Sequence, residues 1–145
     1  MNSSSHRPDL PLTTEALILE RVQLLIGEAS RRQLWLLFLH EDRTMSEVIM
    51  PCEGLPDDAD AVVQTDEGPL SHADALGRTL GHVAAEFGFT ALVFVWERPG
   101  GPETAADERR WAQSLAAACD RRGLVVAGQY LAYDAGIRPL RPSEG

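Results

Sequence analysis

Phe89-Thr-Ala-Leu-Val-Phe-Val-Trp96 is the stretch on which the fold turns. Apart from Thr90 it is wholly apolar, it is of strand length, and Gly88 stands just before it. Such a run reads as a strand buried on both faces, and a sheet so buried needs a layer on either side. The next segment, Glu97-Arg-Pro-Gly-Gly-Pro-Glu-Thr104, resists regular structure because Pro99, Gly100, Gly101 and Pro102 all oppose it. Thr104 and Asp107 then have capping-box spacing and open a helix running to Arg122, which Gly123 ends.

Working backwards, Ser71 and Asp74 repeat that spacing and begin a helix through Leu76, Leu80 and Val83, with Gly88 as a left-handed stop. Leu34-Trp-Leu-Leu-Phe-Leu39 is a second unbroken apolar strand. A polar turn at Glu41-Asp-Arg43 joins it to an alternating strand at 45–50, which Pro51 is expected to stop. Residues 52–70 carry prolines, glycines and many acids; they read as a long surface excursion in which only Ala61-Val-Val63 suits a strand. Thr13 and Thr14 can cap a first helix reaching about Arg32, with Leu17, Ile18, Val22, Leu25 and Ile26 on one face. Beyond Gly123, residues 124–127 and 130–133 read as two short strands with Gly128 as a bulge between them.

The expected order is α-β-β-α-β-α-β-β, an α/β fold with a single central mixed β-sheet flanked by helices. Residues 1–12 are expected to be disordered, 13–137 to form one domain, and 138–145 to be a flexible tail. A chain of 145 residues suits one core.

Charge narrows the partners. The formal net charge is −9 and all 13 basic residues are arginine, so nucleic acid is not an expected partner. Arg31-Arg32 and Arg121-Arg122 fall near predicted helix ends, where the helix dipole favours cations. The apolar runs are too short to span a bilayer, and the polar amino terminus has no signal-peptide core. The expectation is a cytoplasmic protein without a membrane partner, with Cys52 and Cys119 as reduced thiols.

From Ala91-Leu-Val-Phe-Val-Trp-Glu-Arg-Pro-Gly-Gly-Pro-Glu-Thr104, through Trp111-Ala-Gln-Ser-Leu-Ala-Ala-Ala-Cys-Asp-Arg-Arg-Gly-Leu124, to Val125-Val-Ala-Gly-Gln-Tyr-Leu-Ala-Tyr-Asp134, the chain resembles the JAB/MPN domain in its bacterial RadC-type branch. That family activates water on a zinc held by two histidines and an aspartate, with an upstream glutamate as acid and base. Alignment on Pro99 puts Trp96 and Arg98 where the histidines stand; gap-free alignment from Glu108 puts Val95 and Glu97 there. The aspartate corresponds to Glu108, and the upstream glutamate to Glu47, with Glu53 competing. The resemblance thus implies a degenerate site at Glu47, Trp96, Glu97, Arg98, Glu108 and Trp111, without zinc-dependent peptidase chemistry or any cofactor.

The expected role is a non-catalytic binding or scaffold module acting on a protein partner or on its own copy. Two alternatives stand beside it. One is an enzyme with a divalent metal held by Glu47, Glu97 and Glu108; the other is a small-ligand sensor using the 97–104 loop. Set against the metal reading, Asp107 and Glu108 are also first-turn acids that the helix dipole favours. His40, His72 and His82 are not expected to converge. The first helix is apolar on more than one face, at Leu17-Ile-Leu19 and Leu24-Leu-Ile26, and this surplus predicts a homodimer that uses it.

Overall fold

The computed structural model describes residues 11–26 and 29–141. In chain order the elements are α1 (Glu15–Ile26), β1 (Gln33–Leu39), β2 (Met45–Glu53), β3 (Val62–Thr65), β4 (Gly68–Ser71), α2 (His72–Phe87), β5 (Ala91–Glu97), α3 (Ala106–Arg121), β6 (Val125–Tyr133) and β7 (Gly136–Pro139). One mixed sheet runs β2-β1-β5-β6-β7, and β3 pairs with β4 in a separate hairpin. Every neighbouring pair in the main sheet is antiparallel except β5 and β6, which α3 connects as a parallel crossover. The chain is therefore a mixed α/β protein with helices on both faces of one sheet.

The apolar runs behave as double-faced strands should. Leu34, Leu36 and Phe38 of β1 join Leu92, Phe94 and Trp96 of β5 in the core that also holds residues of α2 and α3. Leu37 and Leu39 of β1 join Val93 and Val95 in the core that holds Ile18 and Val22 of α1. Period-two alternation thus feeds two cores from one strand. Trp35 is only partly buried against this second core, and its indole N–H reaches the Glu97 carboxylate near the sheet's end.

The caps follow local chemistry. Ser71 Oγ accepts the Asp74 N–H at 3.0 Å, and Gly88 ends α2 at φ +77°, the left-handed region a side chain resists. Thr14 Oγ1 accepts the Leu17 N–H at 3.2 Å at the start of α1. At α3 the expected Thr104 cap is replaced. Ala105 precedes the helix, and Glu108 reaches back to accept the Ala105 N–H at 2.8 Å. The Thr104 hydroxyl pairs instead with the Arg138 guanidinium.

Several expectations need correction. The 52–70 excursion contains the β3–β4 hairpin, and Ala59 is fully buried in the core, so this segment is more than a surface loop. Pro51 does not end β2, because β2 is an edge strand and a proline lacking its N–H is tolerated there. The two short strands after Gly123 are one strand, β6, in which Ala127 is the extra residue between Val126 and Gly128 in the pairing with β5. The boundary expected at 137 falls inside β7, and Leu140 beyond it is buried; at the other end Leu12, expected to be disordered, is also buried. The first helix closes at Ile26, short of Arg32, so Arg31 and Arg32 do not complement its dipole. They reach Glu53 and Asp57 on and after β2. The disorder expected of residues 1–10 and the flexible tail expected over 142–145 lie outside the described residues.

Candidate functional site

The sequence directs attention to the carboxyl end of β5, where the chain leaves the sheet for the Pro-Gly loop and then α3. Alternation along β5 continues to its end and separates the polar groups there. Trp96 points into the core shared with Trp111, their ring centroids 6.1 Å apart. Its indole N–H donates to Gln129 Oε1 at 2.8 Å, while Gln129 Nε2 donates to the Ala112 carbonyl at 3.1 Å. The Trp111 N–H donates to the Pro56 carbonyl at 2.7 Å, which pins the 52–61 segment over the site.

Glu97, only 3% exposed, sends its carboxylate toward β1. Oε1 accepts from Gln33 Nε2 and Trp35 Nε1, both at 2.8 Å, and Oε2 accepts from the Ser30 N–H at 2.6 Å. Burial pushes the Glu97 carboxyl up, but the donors from Ser30, Trp35, Gln33 and Arg31 outweigh it and hold it below the usual glutamate range. A buried charge is expensive unless hydrogen-bonded, and here neutral donors supply those bonds.

Arg98 turns the other way. Its Nε donates to Glu108 Oε2 at 2.7 Å, and Nη2 reaches Oε1 at 3.3 Å. Nη1 donates to the Gly101 carbonyl at 2.5 Å, and Nη2 also donates to the Glu103 carbonyl. One planar guanidinium therefore holds both the loop and the start of α3, a geometry that suits arginine and not lysine.

Trp96, Glu97, Arg98, Glu108 and Trp111 thus border one pocket, together with Cys52 and Gly54. Its interior of about 30 Å3 has room for roughly two waters. Burial raises the Cys52 thiol, which keeps it protonated and a poor nucleophile. Glu47 does not belong to this group. It lies on β2 between Met45, paired with Leu39, and Ile49, paired with Leu37, whereas Glu97 pairs with Gln33. At ~3.3 Å per residue, Glu47 sits roughly 15–20 Å along the sheet from that level. Glu53, which pairs with Gln33, stands at the site's end of β2, and Arg31 holds it at 3.3 Å. The three carboxylates proposed as metal ligands are therefore dispersed: Glu97 is held toward β1, Glu108 is paired with Arg98, and Glu47 is at a distant register position. Among the described residues, no group of three or more His, Cys, Asp or Glu is placed to hold a metal ion.

Sequence reasoning missed the partners that fix these groups, namely Ser30, Gln33, Trp35 and Gln129. Gln129 had a readable signal, being a polar residue inside an apolar strand pattern, where burial demands a partner. Ser30 had none, since its contact spans 67 residues. No protein-family model matches the chain, and no curated protein matches it. Among the described residues, no helix is long and apolar enough to cross a membrane.

Proposed function

We propose that the chain is a non-catalytic binding or scaffold module, a cytoplasmic JAB/MPN-like domain of the RadC type whose zinc-binding histidines have been replaced. It acts through protein–protein contacts, and its first partner is a second copy of itself. The observation that carries this reading is how the side chains after β5 are used. A hydrolase of that type needs an open coordination position on its metal and a carboxylate free to move protons. Here Arg98 and Glu108 bond each other and the loop, the Glu97 carboxylate is taken by donors from Ser30, Gln33 and Trp35 among others, and Trp96 and Trp111 pack beside them. Side chains engaged in this way brace the fold, which leaves recognition to its surfaces.

The test is elemental analysis of the purified chain after incubation with zinc, alongside an assay for peptide and isopeptide hydrolysis. Zinc well below one equivalent and no hydrolysis are expected. One zinc per chain, lost on Glu108→Ala, overturns the reading.

A further inference from the structure

Residues 54–57 cross the pocket at the end of β5 between two firm anchors. On one side Glu53, the last residue of β2, still pairs with Gln33 of β1. On the other, Ala59 is fully buried and its carbonyl accepts the Ala73 N–H at 3.0 Å, while Arg110 and Ser114 both donate to Asp60. Between these anchors, residues 54–57 make no backbone–backbone hydrogen bond among the described residues.

Side chains hold this span down instead. The Trp111 indole N–H donates to the Pro56 carbonyl at 2.7 Å, Arg32 Nη1 donates to the Leu55 carbonyl at 3.0 Å, and Arg32 Nη2 pairs with Asp57 at 3.4 Å. That ion pair stands in water, with 47% and 86% of the two side chains exposed, so it is weak and screened by salt. Leu55 adds partial packing against the core. The chain enters the span through Gly54 at φ +74°, and nothing lies within 4 Å of where its Cβ would be. Gly54 can therefore change its dihedrals without displacing a neighbour. A segment so lightly bonded opens at a lower free energy than the sheet beneath it.

We propose that residues 54–57 are a strap that lifts as a unit while the sheet and helices stay folded, uncovering the pocket wall formed by Leu34, Cys52, Trp96 and Trp111. The two tryptophans report on it in opposite ways. Trp96 donates its N–H to Gln129, which is itself buried, whereas Trp111 donates to the strap. By burial alone Trp111, 2% exposed, is better protected than Trp96, 7% exposed. Opening of the strap inverts that order, because it breaks the Trp111 bond and leaves the Trp96 bond intact.

Hydrogen exchange of the two indole N–H groups, followed by NMR on the full chain at several low urea concentrations, tests this. Trp111 should exchange at least about tenfold faster than Trp96 and depend little on urea, since lifting the strap exposes little surface; Trp96 should follow global unfolding. Arg32→Gln removes both Arg32 contacts and should speed Trp111 exchange about fivefold. Leu37→Ala, in the core on the opposite face of the sheet, should speed Trp96 and leave Trp111 as it was. Equal rates with a shared urea dependence, a Trp111 rate unmoved by Arg32→Gln, or one raised by Leu37→Ala overturns the proposal. Zinc uptake and hydrolysis are read separately, so the binding-module reading can fail while the strap stands, and the reverse.

Discussion

Arg98 and Glu108 meet in a two-point ion pair, Nε to Oε2 at 2.7 Å and Nη2 to Oε1 at 3.3 Å, that ties the loop after β5 to the first turn of α3. Only 17% and 13% of the two side chains remain exposed. The guanidinium also serves the Gly101 carbonyl and the carboxylate also serves the Ala105 N–H, so loop, cap and helix form one bonded unit.

Removing either partner strands the other charge in a mostly dry place. Arg98→Met and Glu108→Gln should each destabilise the protein by about 2 kcal/mol, below the ~3–5 of fully buried pairs because solvent still reaches this one. The double variant should lose clearly less than the sum, since the second change removes a charge already stranded. Urea midpoints of the three variants decide it; strict additivity would show that the two groups do not act together.

Glu97 sets an acid limit on stability. Its folded-state carboxyl lies below the usual range because donors from Ser30, Trp35, Gln33 and Arg31 outweigh the effect of burial. A carboxyl lowered in this way contributes stability that is complete above its unfolded value, ~4.3, and is lost as pH falls through the folded one. Glu97→Gln should therefore be less stable at neutral pH by roughly 1–3 kcal/mol, because its amide cannot accept from all the same donors. The gap to wild type should close between pH ~4.3 and the lowered folded value. A gap that stays constant down to acid unfolding would remove Glu97 from this role.

How much of this was legible in the sequence depends on the range of the interaction. Both double-faced strands, the helix opened at Ser71 and its stop at Gly88 follow from local periodicity and capping, and the structure has all of them. The β3–β4 hairpin was missed because its strands are four residues each and their burial alternates with exposed positions. In the candidate site, Trp96 and Arg98 are two residues apart, Glu108 and Trp111 one helix turn apart, and only a ten-residue step over the loop separates Arg98 from Glu108, so reading the strand, loop and helix in order brought them together. Glu47 was misplaced because strand register is a non-local property, and the bulge between Leu37 and Leu39 shifts it further. The orientation of Glu97 toward β1 depends on Ser30 and Trp35, over 60 residues away, which no local pattern announces.

The α2–α3 contact offers a test of packing against propensity. A Cβ on Gly77 would stand 2.7 Å from the Cβ of Ala118, closer than real atoms approach, whereas one on Gly81 would stand at ordinary contact distance, 3.5 Å, from Cδ of the Arg122 side chain. Alanine is the better helix former by about 1 kcal/mol at either position. Gly81→Ala should accordingly stabilise by roughly 0.5–1 kcal/mol. Gly77→Ala should destabilise by about 1–3 kcal/mol, because the helices must part. Thermal unfolding of the two variants checks the sign at each site; equal stabilisation would mean that the helices are not in such close contact.

The proposed homodimer makes the most specific demand on α1. The helix has more apolar surface than one stripe requires, and the structure divides it. Ile18 and Val22 are buried against the sheet, and Leu17, Leu19 and Ile26 lie partly against the same core. Leu24 and Leu25 face outward, 52% and 42% exposed. An exposed apolar patch on a domain of this size commonly marks an interface, and a two-fold pair of identical patches is the commonest way to cover it. Because Leu24 and Leu25 contribute little to the core, Leu24→Glu with Leu25→Glu should leave the unfolding midpoint nearly unchanged while abolishing association. Ile18→Glu is the contrasting change: it places a charge in the core and should unfold the monomer itself. In sedimentation equilibrium at tens of micromolar, wild type should run at twice the 15.9 kDa chain mass and the double variant at that mass. A wild type that sediments as the single chain, or a double variant that still dimerises, would remove α1 from the interface.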